Sequence, residues 1–140
     1  MPIVDPEQLA VGCLYSRPRL ADLWKYRGHQ GLDRGVVTPA GSALIILFVT
    51  AEKEPSAEQY DDILVGRVLQ WEGPTDHYAE GRIAESRESG EQIHLFFRQR
   101  HHSDFMYYGV LELLDATIQT EGRSHFIFKL LQRPPIATCS

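Results

Sequence analysis

Apolar positions along the chain fall into short blocks set apart by polar, Gly-rich and Pro-rich stretches. The block "SALIILFVT" (42–50) is apolar almost without a break, which suits a strand covered on both faces. "ILVGRVLQW" (63–71) predicts a second strand, with Gly66 marking a bulge or a close approach of another segment. "EQIHLFFRQ" (91–99) predicts a third, with Ile93, Leu95 and Phe97 on one face and His94 and Arg98 on the other. "FMYYGVLELL" (105–114) follows after only "HHSD", so the two should pair as an antiparallel hairpin. "IQTEGRSHFIFKLL" (118–131) adds a further strand pair, with Glu121-Gly122 at its turn.

The helical period is weaker. Ser16 is a good N-cap, and Leu20, Leu23 and Trp24 follow at helical spacing. A short helix is expected from about Arg17 to Tyr26, ended by Gly28. "EGPTDHYAEGRIAESRESG" (72–90) begins as a turn and then offers a second short helix, weakened by Gly81 and stopped by Gly90. "AEKEPSAEQYDD" (51–62) reads as a polar loop, and the prolines of "QRPPIATCS" (132–140) keep the tail out of a sheet. The sum is an α+β protein. Five or six mostly antiparallel strands curl into a sheet or barrel with two short helices at its openings. Residues 1–140 are read as a single domain with its core at about 13–132 and an extended tail from 133.

Composition narrows the partners. The net charge of −5 argues against indiscriminate coating of nucleic acid, but charge is segregated along the chain. Arg17, Arg19, Lys25, Arg27 and Arg34 crowd the stretch from Tyr15 to Val36, while acids dominate from Glu52 to Asp62. One basic face on an acidic protein is compatible with this, as are two ordinary solvated stretches. The longest apolar run is too short to span a bilayer, and "MPIVDPEQLA" lacks the basic and apolar regions of a signal peptide, so no membrane partner is expected. Cys13 and Cys139 lie near opposite ends, without zinc-ligand or redox spacing. They are read as structural or incidental thiols in a reducing, cytoplasmic setting.

Catalysis finds little support in the residues. Asp61, Asp62 and Glu72 flank the second strand and could hold a metal for a small nuclease, but Gly73 and Pro74 stand where an acid-x-Lys signature would continue. His101-His102 are adjacent in an extended turn and point apart, with no zinc-finger spacing around them. A Gly-x-Ser-x-Gly elbow, a phosphate loop and a dinucleotide fingerprint are all missing. No cofactor and no metal are expected.

Binding finds more. "YRGHQGLDRGVVTP" (26–39) interleaves Gly28, Gly31 and Gly35 with Arg27, Gln30 and Arg34. Arginines and lysines of this region suit phosphates, the glycines permit close approach of a strand, and Gln30 suits a base edge. His94 and Arg98 either line a basic groove or are simply solvated. Trp71 ends a strand, with Tyr60 and Asp61 just ahead of that strand. An aromatic ring beside hydrogen-bonding groups is what an extruded base needs, although such a Trp also fits a core. In "FMYYG", Phe105 and Tyr107 share one face and Met106 and Tyr108 the other, so at least one pair belongs to the core.

Taken in order, "YSRPRLADLW", "HQGLDRGV", "LFVTAEKE", "YDD", "LQWEG" and "GEQIHLFFRQ…DFMYYGVLEL" resemble a family. It is the uncharacterised domain at the C-terminus of many bacterial helicase–nuclease proteins of the Ssl-type helicase group. That domain is similar to the SRA-like and PUA-like modified-DNA readers fused to restriction endonucleases. The resemblance runs from about Tyr15 to Leu131. It departs at Glu72-Gly73, where the family commonly has Ser or Gln, and at Arg27, Asp33 and Arg34, where smaller residues are common.

The resemblance implies a non-catalytic DNA-binding module, recognising modified DNA in restriction, defence or DNA processing. On this reading Arg17, Arg19, Lys25, Arg27, Gln30, Gly31, Arg34, His94 and Arg98 contact DNA. Tyr60, Asp61, Trp71 and Tyr78 are the candidates for a base pocket. The alternatives are a protein-interaction or autoinhibitory module that regulates a helicase or nuclease partner, and the small metal-dependent nuclease.

Overall fold

The unbroken apolar run of the first long strand is explained by what lies on either side of it. The structure, a computed structural model, describes residues 4–52, 62–135 and 139. Strand β3 (Leu44–Glu52) sits inside an eight-stranded sheet with a packed layer on each face. Its neighbours are β2 (Val36–Val37) and β6 (Gln92–Arg100). Beyond β6 the sheet continues through β7 (Phe105–Thr117), β8 (His125–Leu130) and β5 (Val68–Glu72) to β4 (Ile63–Val65), and β1 (Leu14–Tyr15) pairs with β7. Every pairing is antiparallel except β3 with β6. The class is therefore α+β with a mostly antiparallel, curved sheet. Among the described residues the sheet runs open from β2 to β4, not closed into a barrel.

Three short α-helices accompany it, one more than the period suggested: α1 (Arg17–Leu23), α2 (Glu80–Ala84) and α3 (Ser86–Ser89). Ser16 caps α1 as expected, its hydroxyl accepting from the Arg19 amide at 3.1 Å. The helix stops three residues earlier than the sequence suggested. Lys25 takes a left-handed conformation (φ +62°), and the Tyr26 amide donates to the Ala21 carbonyl at 2.8 Å. This closes the helix in the manner usually left to glycine. Gly66 is likewise a turn residue and not a bulge: Val65 faces Val68 across a two-residue connection, so the predicted second strand is a hairpin of β4 and β5.

The first core gathers Ile45, Leu47 and Val49 of β3 with Ile93, Leu95 and Phe97 of β6. Curling of the sheet brings Trp71, Phe126 and Phe128 to the same layer, and Ile83 of α2 joins them. The second core lies on the other face, where Leu20 and Ala21 of α1 and Trp24 at its C-terminal cap cluster with Ile46, Phe48, Phe96, Phe105 and Tyr107. Strand β7 serves both cores because of a bulge. Leu95 faces Gly109 but Phe96 faces Tyr107, which leaves Tyr108 unopposed. Phe105 and Tyr107 therefore point to the second core, whereas Leu111 and Leu113, of the same parity, point to the first. Gly109 takes φ +91° at this step, a value open to glycine and costly for other residues.

Cys13 and Cys139 form a disulfide, and the Cys139 amide donates to the Gly12 carbonyl at 3.0 Å. This corrects the reading of two free thiols, structural or incidental, in a reducing setting. A separation of 126 residues carries no local sign of pairing. Among the described residues no helix is long and apolar enough to cross a membrane.

Candidate nucleic-acid interface

The Gly-rich stretch after α1 is a shaped loop. A single 3-10 turn, Gln30–Leu32, buries Leu32 in the second core while leaving Gln30 exposed. The Gln30 amide group folds back over Gly28, whose φ of +152° is a backbone conformation that favours glycine. Arg17 fastens the loop from below. Its Nε donates to the Leu32 carbonyl at 2.6 Å and its terminal nitrogen to the Arg34 carbonyl at 3.3 Å. The guanidinium carbon lies 4.7 Å from the Phe48 ring centre and 4.9 Å from that of Phe105.

Arg34 fastens the loop from the side. It donates to Asp76 at 2.9 Å, and its guanidinium stacks 4.1 Å above the Tyr78 ring. The Tyr78 hydroxyl bonds to the Thr38 hydroxyl, and the Tyr78 amide donates to Asp76 at 3.1 Å. The loop is thereby joined to the connection that follows β5. Between them opens a cleft of about 240 Å³, lined by Tyr26, Gly31, Val37, Thr38, Pro39 and Tyr78. Burial raises the Tyr26 pKa above its ordinary value, so this phenol stays a neutral hydrogen-bonding group. Lys25, Arg27 and Gln30 are exposed on the same loop.

Of the residues the sequence suggested, Arg17, Gly31, Arg34 and Tyr78 are thus drawn around one loop. Arg98 lies beneath it, half-buried, donating to the Thr50 hydroxyl at 2.8 Å and to the Ser103 carbonyl at 3.0 Å. Arg19 is turned elsewhere. It donates to the Leu14 carbonyl at 2.7 Å and stacks 4.8 Å from the Tyr15 ring, bracing β1.

Two expected contacts are interior residues. His94 is 3 % exposed beside the second core, neither solvated nor lining a groove, its ring parallel to that of Tyr107. Its Nδ1 meets the Tyr107 hydroxyl at 2.7 Å and its Nε2 the Gln92 side-chain oxygen at 3.2 Å. Burial pushes its pKa down to about 4, so the ring is neutral near pH 7. Trp71 is 5 % exposed and packs 5.4 Å from Phe126 and 6.1 Å from Phe128. It belongs to the first core. Tyr60 and Asp61 lie outside the described residues.

Sequence reasoning passed over the polar groups that support this surface. Tyr26 and Thr38 lay inside the stretch it singled out, but nothing in their spacing showed that they would share a wall with Tyr78. Glu80 gave no signal at all. It is 4 % exposed, accepts from the Ser124 hydroxyl at 2.8 Å, and meets His77 at 3.0 Å. A side chain at Gly73 would collide with its carboxylate. Asp62 is also buried and accepts from the Glu72 amide at 2.9 Å, pinning the end of β5. Among the described residues no three His, Cys, Asp or Glu side chains are grouped so as to hold a metal ion.

No family model matches the chain, and no curated protein matches it. Solved structures do share its architecture. A crystal structure of the SUVH5 SRA domain with fully methylated CG DNA, in space group P6122, superposes with a TM-score of 0.57 at 13 % identity, covering 92 % of this chain and 94 % of that one. A second crystal form of the same complex gives 0.55 at 14 % identity, over 91 % and 92 %. The fold is therefore SRA-like.

Proposed function

We propose that this protein is a non-catalytic DNA-binding module that reads modified DNA, working in restriction, defence or DNA processing beside a helicase or nuclease. The observation that carries the reading is the braced loop: Arg17 and Arg34 hold a Gly-rich segment against Tyr78 on an SRA-like sheet. The solved domain of that fold was crystallised with methylated DNA, which supports the same class of ligand here. In this reading Lys25, Arg27 and Arg34 meet backbone phosphates and fix the register. Gln30, exposed at the loop tip, reaches a base edge. Tyr78 offers a stacking face, and Tyr60 and Asp61 stay candidates for the walls of a base pocket.

The test is fluorescence polarisation with short duplexes, plain and modified, over a range of salt. Affinity is expected to fall steeply with salt, and replacing Arg27 and Arg34 together by Ala should reduce the slope of log K against log salt by about two. An unchanged slope would remove the loop from the interface. Equal affinity for every duplex in a modification panel would remove the reader function and leave DNA binding standing.

A further inference from the structure

A second cleft of about 240 Å³ opens on the opposite side of the same loop, between the start of α1 and the turn joining β6 to β7. Its floor is Phe105, and Arg17 and Arg98 both reach that ring, their guanidinium carbons 4.9 and 4.2 Å from its centre. Neither arginine is a flexible surface side chain. Arg17 is tied to the Leu32 and Arg34 carbonyls, and Arg98 to Thr50 and the Ser103 carbonyl. These bonds use two of the five N–H groups of each guanidinium, so both keep donors for a ligand.

We propose that this cleft is a phosphate site, in which Arg17 and Arg98 grip one phosphate group from their fixed positions over Phe105. Planar guanidinium forks match phosphate oxygens in pairs, and a fork already immobilised loses little freedom on binding. Two like charges held over one ring repel each other: Arg98 is among the causes that lower the Arg17 pKa, after burial itself. A dianion between them would turn that repulsion into attraction. The carboxylates present are at one side each. Asp33 is engaged by His29 at 3.0 Å and lies 3.9 Å from Arg17, while Asp104 acts on Arg98. The site goes beyond the duplex-reading surface and stands whether or not that reading holds, because it requires only a phosphate group, free or carried by a nucleic-acid backbone.

The test follows the Arg17 and Arg98 Nε resonances of the full chain by nitrogen-15 NMR during titration with inorganic phosphate, against sodium chloride at matched ionic strength. Both resonances should move saturably with phosphate and not with chloride. Arg98→Gln should weaken phosphate binding roughly tenfold, the loss of one charge-assisted contact. Asp104→Asn, which leaves both arginines in place, should strengthen it. Unmoved resonances, an equal response to chloride, or wild-type affinity in Arg98→Gln would each overturn the proposal. If a short duplex displaces the bound phosphate, the natural occupant is a backbone phosphate; if both bind together, it is a free anion. Failure of duplex binding alone leaves the phosphate titration untouched.

Discussion

On one face of the sheet, Leu47, Leu95, Leu113, Phe126 and Phe128 form part of one apolar cluster, and the buried Glu80 carboxylate lies at its margin, bonded to Ser124. On the other face, the rings of Phe48, Phe96 and Phe105 share their space with the Arg17 guanidinium, the neutral His94 imidazole and the Tyr107 hydroxyl. Both layers exclude water. The second carries hydrogen-bonding groups outward, from its interior through Arg17 to the carbonyls of the loop that bears the candidate contacts. The first core holds the sheet in its curl; the second also sets the shape of a surface.

The contrast can be broken or sharpened by substitution. Phe128→Ala, in the apolar core, should cost about 3–5 kcal/mol in chemical denaturation through lost burial and a residual cavity. It should leave the duplex affinity of the folded protein unchanged; a parallel loss of affinity would erase the distinction between the faces. The next effect is one of pH. His94 holds a proton more weakly folded, at about 4, than at the ordinary unfolded value near 6.5. Between those values the unfolded chain binds the extra proton, so this contribution to stability is complete above about pH 6.5 and is lost as pH falls toward 4. The loss amounts to roughly 2–4 kcal/mol, and His94→Gln should flatten that part of the stability profile. A profile unchanged by the substitution would show that the second core does not hold the ring neutral.

Arg17→Met keeps an apolar stem over Phe48 and Phe105 and removes both bonds to the loop. It should cost about 1.5–3 kcal/mol. Amide exchange should quicken in residues 30–35 while β5 and β8 stay protected. Uniform quickening would mean that Arg17 supports the whole fold, not the loop. The smallest effect tests the helix end. Lys25→Gly should add about 0.5–1 kcal/mol of stability, because a left-handed residue with a side chain is replaced by one without that strain.

What could be read from the sequence follows from how locally each feature is encoded. The alternation of Ile93, Leu95 and Phe97, the hairpin at "HHSD" and the Ser16 cap are short-range patterns, and each is present in the structure. The burial of His94 was not legible, because the core to which its partner Tyr107 belongs is completed by Leu20, Ala21 and Trp24, some seventy residues earlier in the chain. Alternation along β7 misleads past Tyr108, where one extra residue exchanges the faces. The candidate site was legible as composition, Gly with Arg and Gln, but not as geometry. That Arg17 would turn inward to hold the loop, and Arg34 sideways onto Tyr78, depends on Phe105, Phe48 and Asp76, which are distant in sequence.

The parallel pairing of β3 with β6 sets the order in which the chain can assemble. The β4–β5, β6–β7 and β7–β8 pairs each join neighbouring strands and can zip from their turns. The β3–β6 pair has no turn to start from. Residue 44 meets residue 92, so the whole span between them must first be gathered at the entropic cost of closing a long loop. The second core, whose β3 side chains lie under α1, is complete only after that meeting. The cleft floored by Phe105, whose Arg98 is fastened to Thr50 of β3, therefore depends on that meeting for its shape.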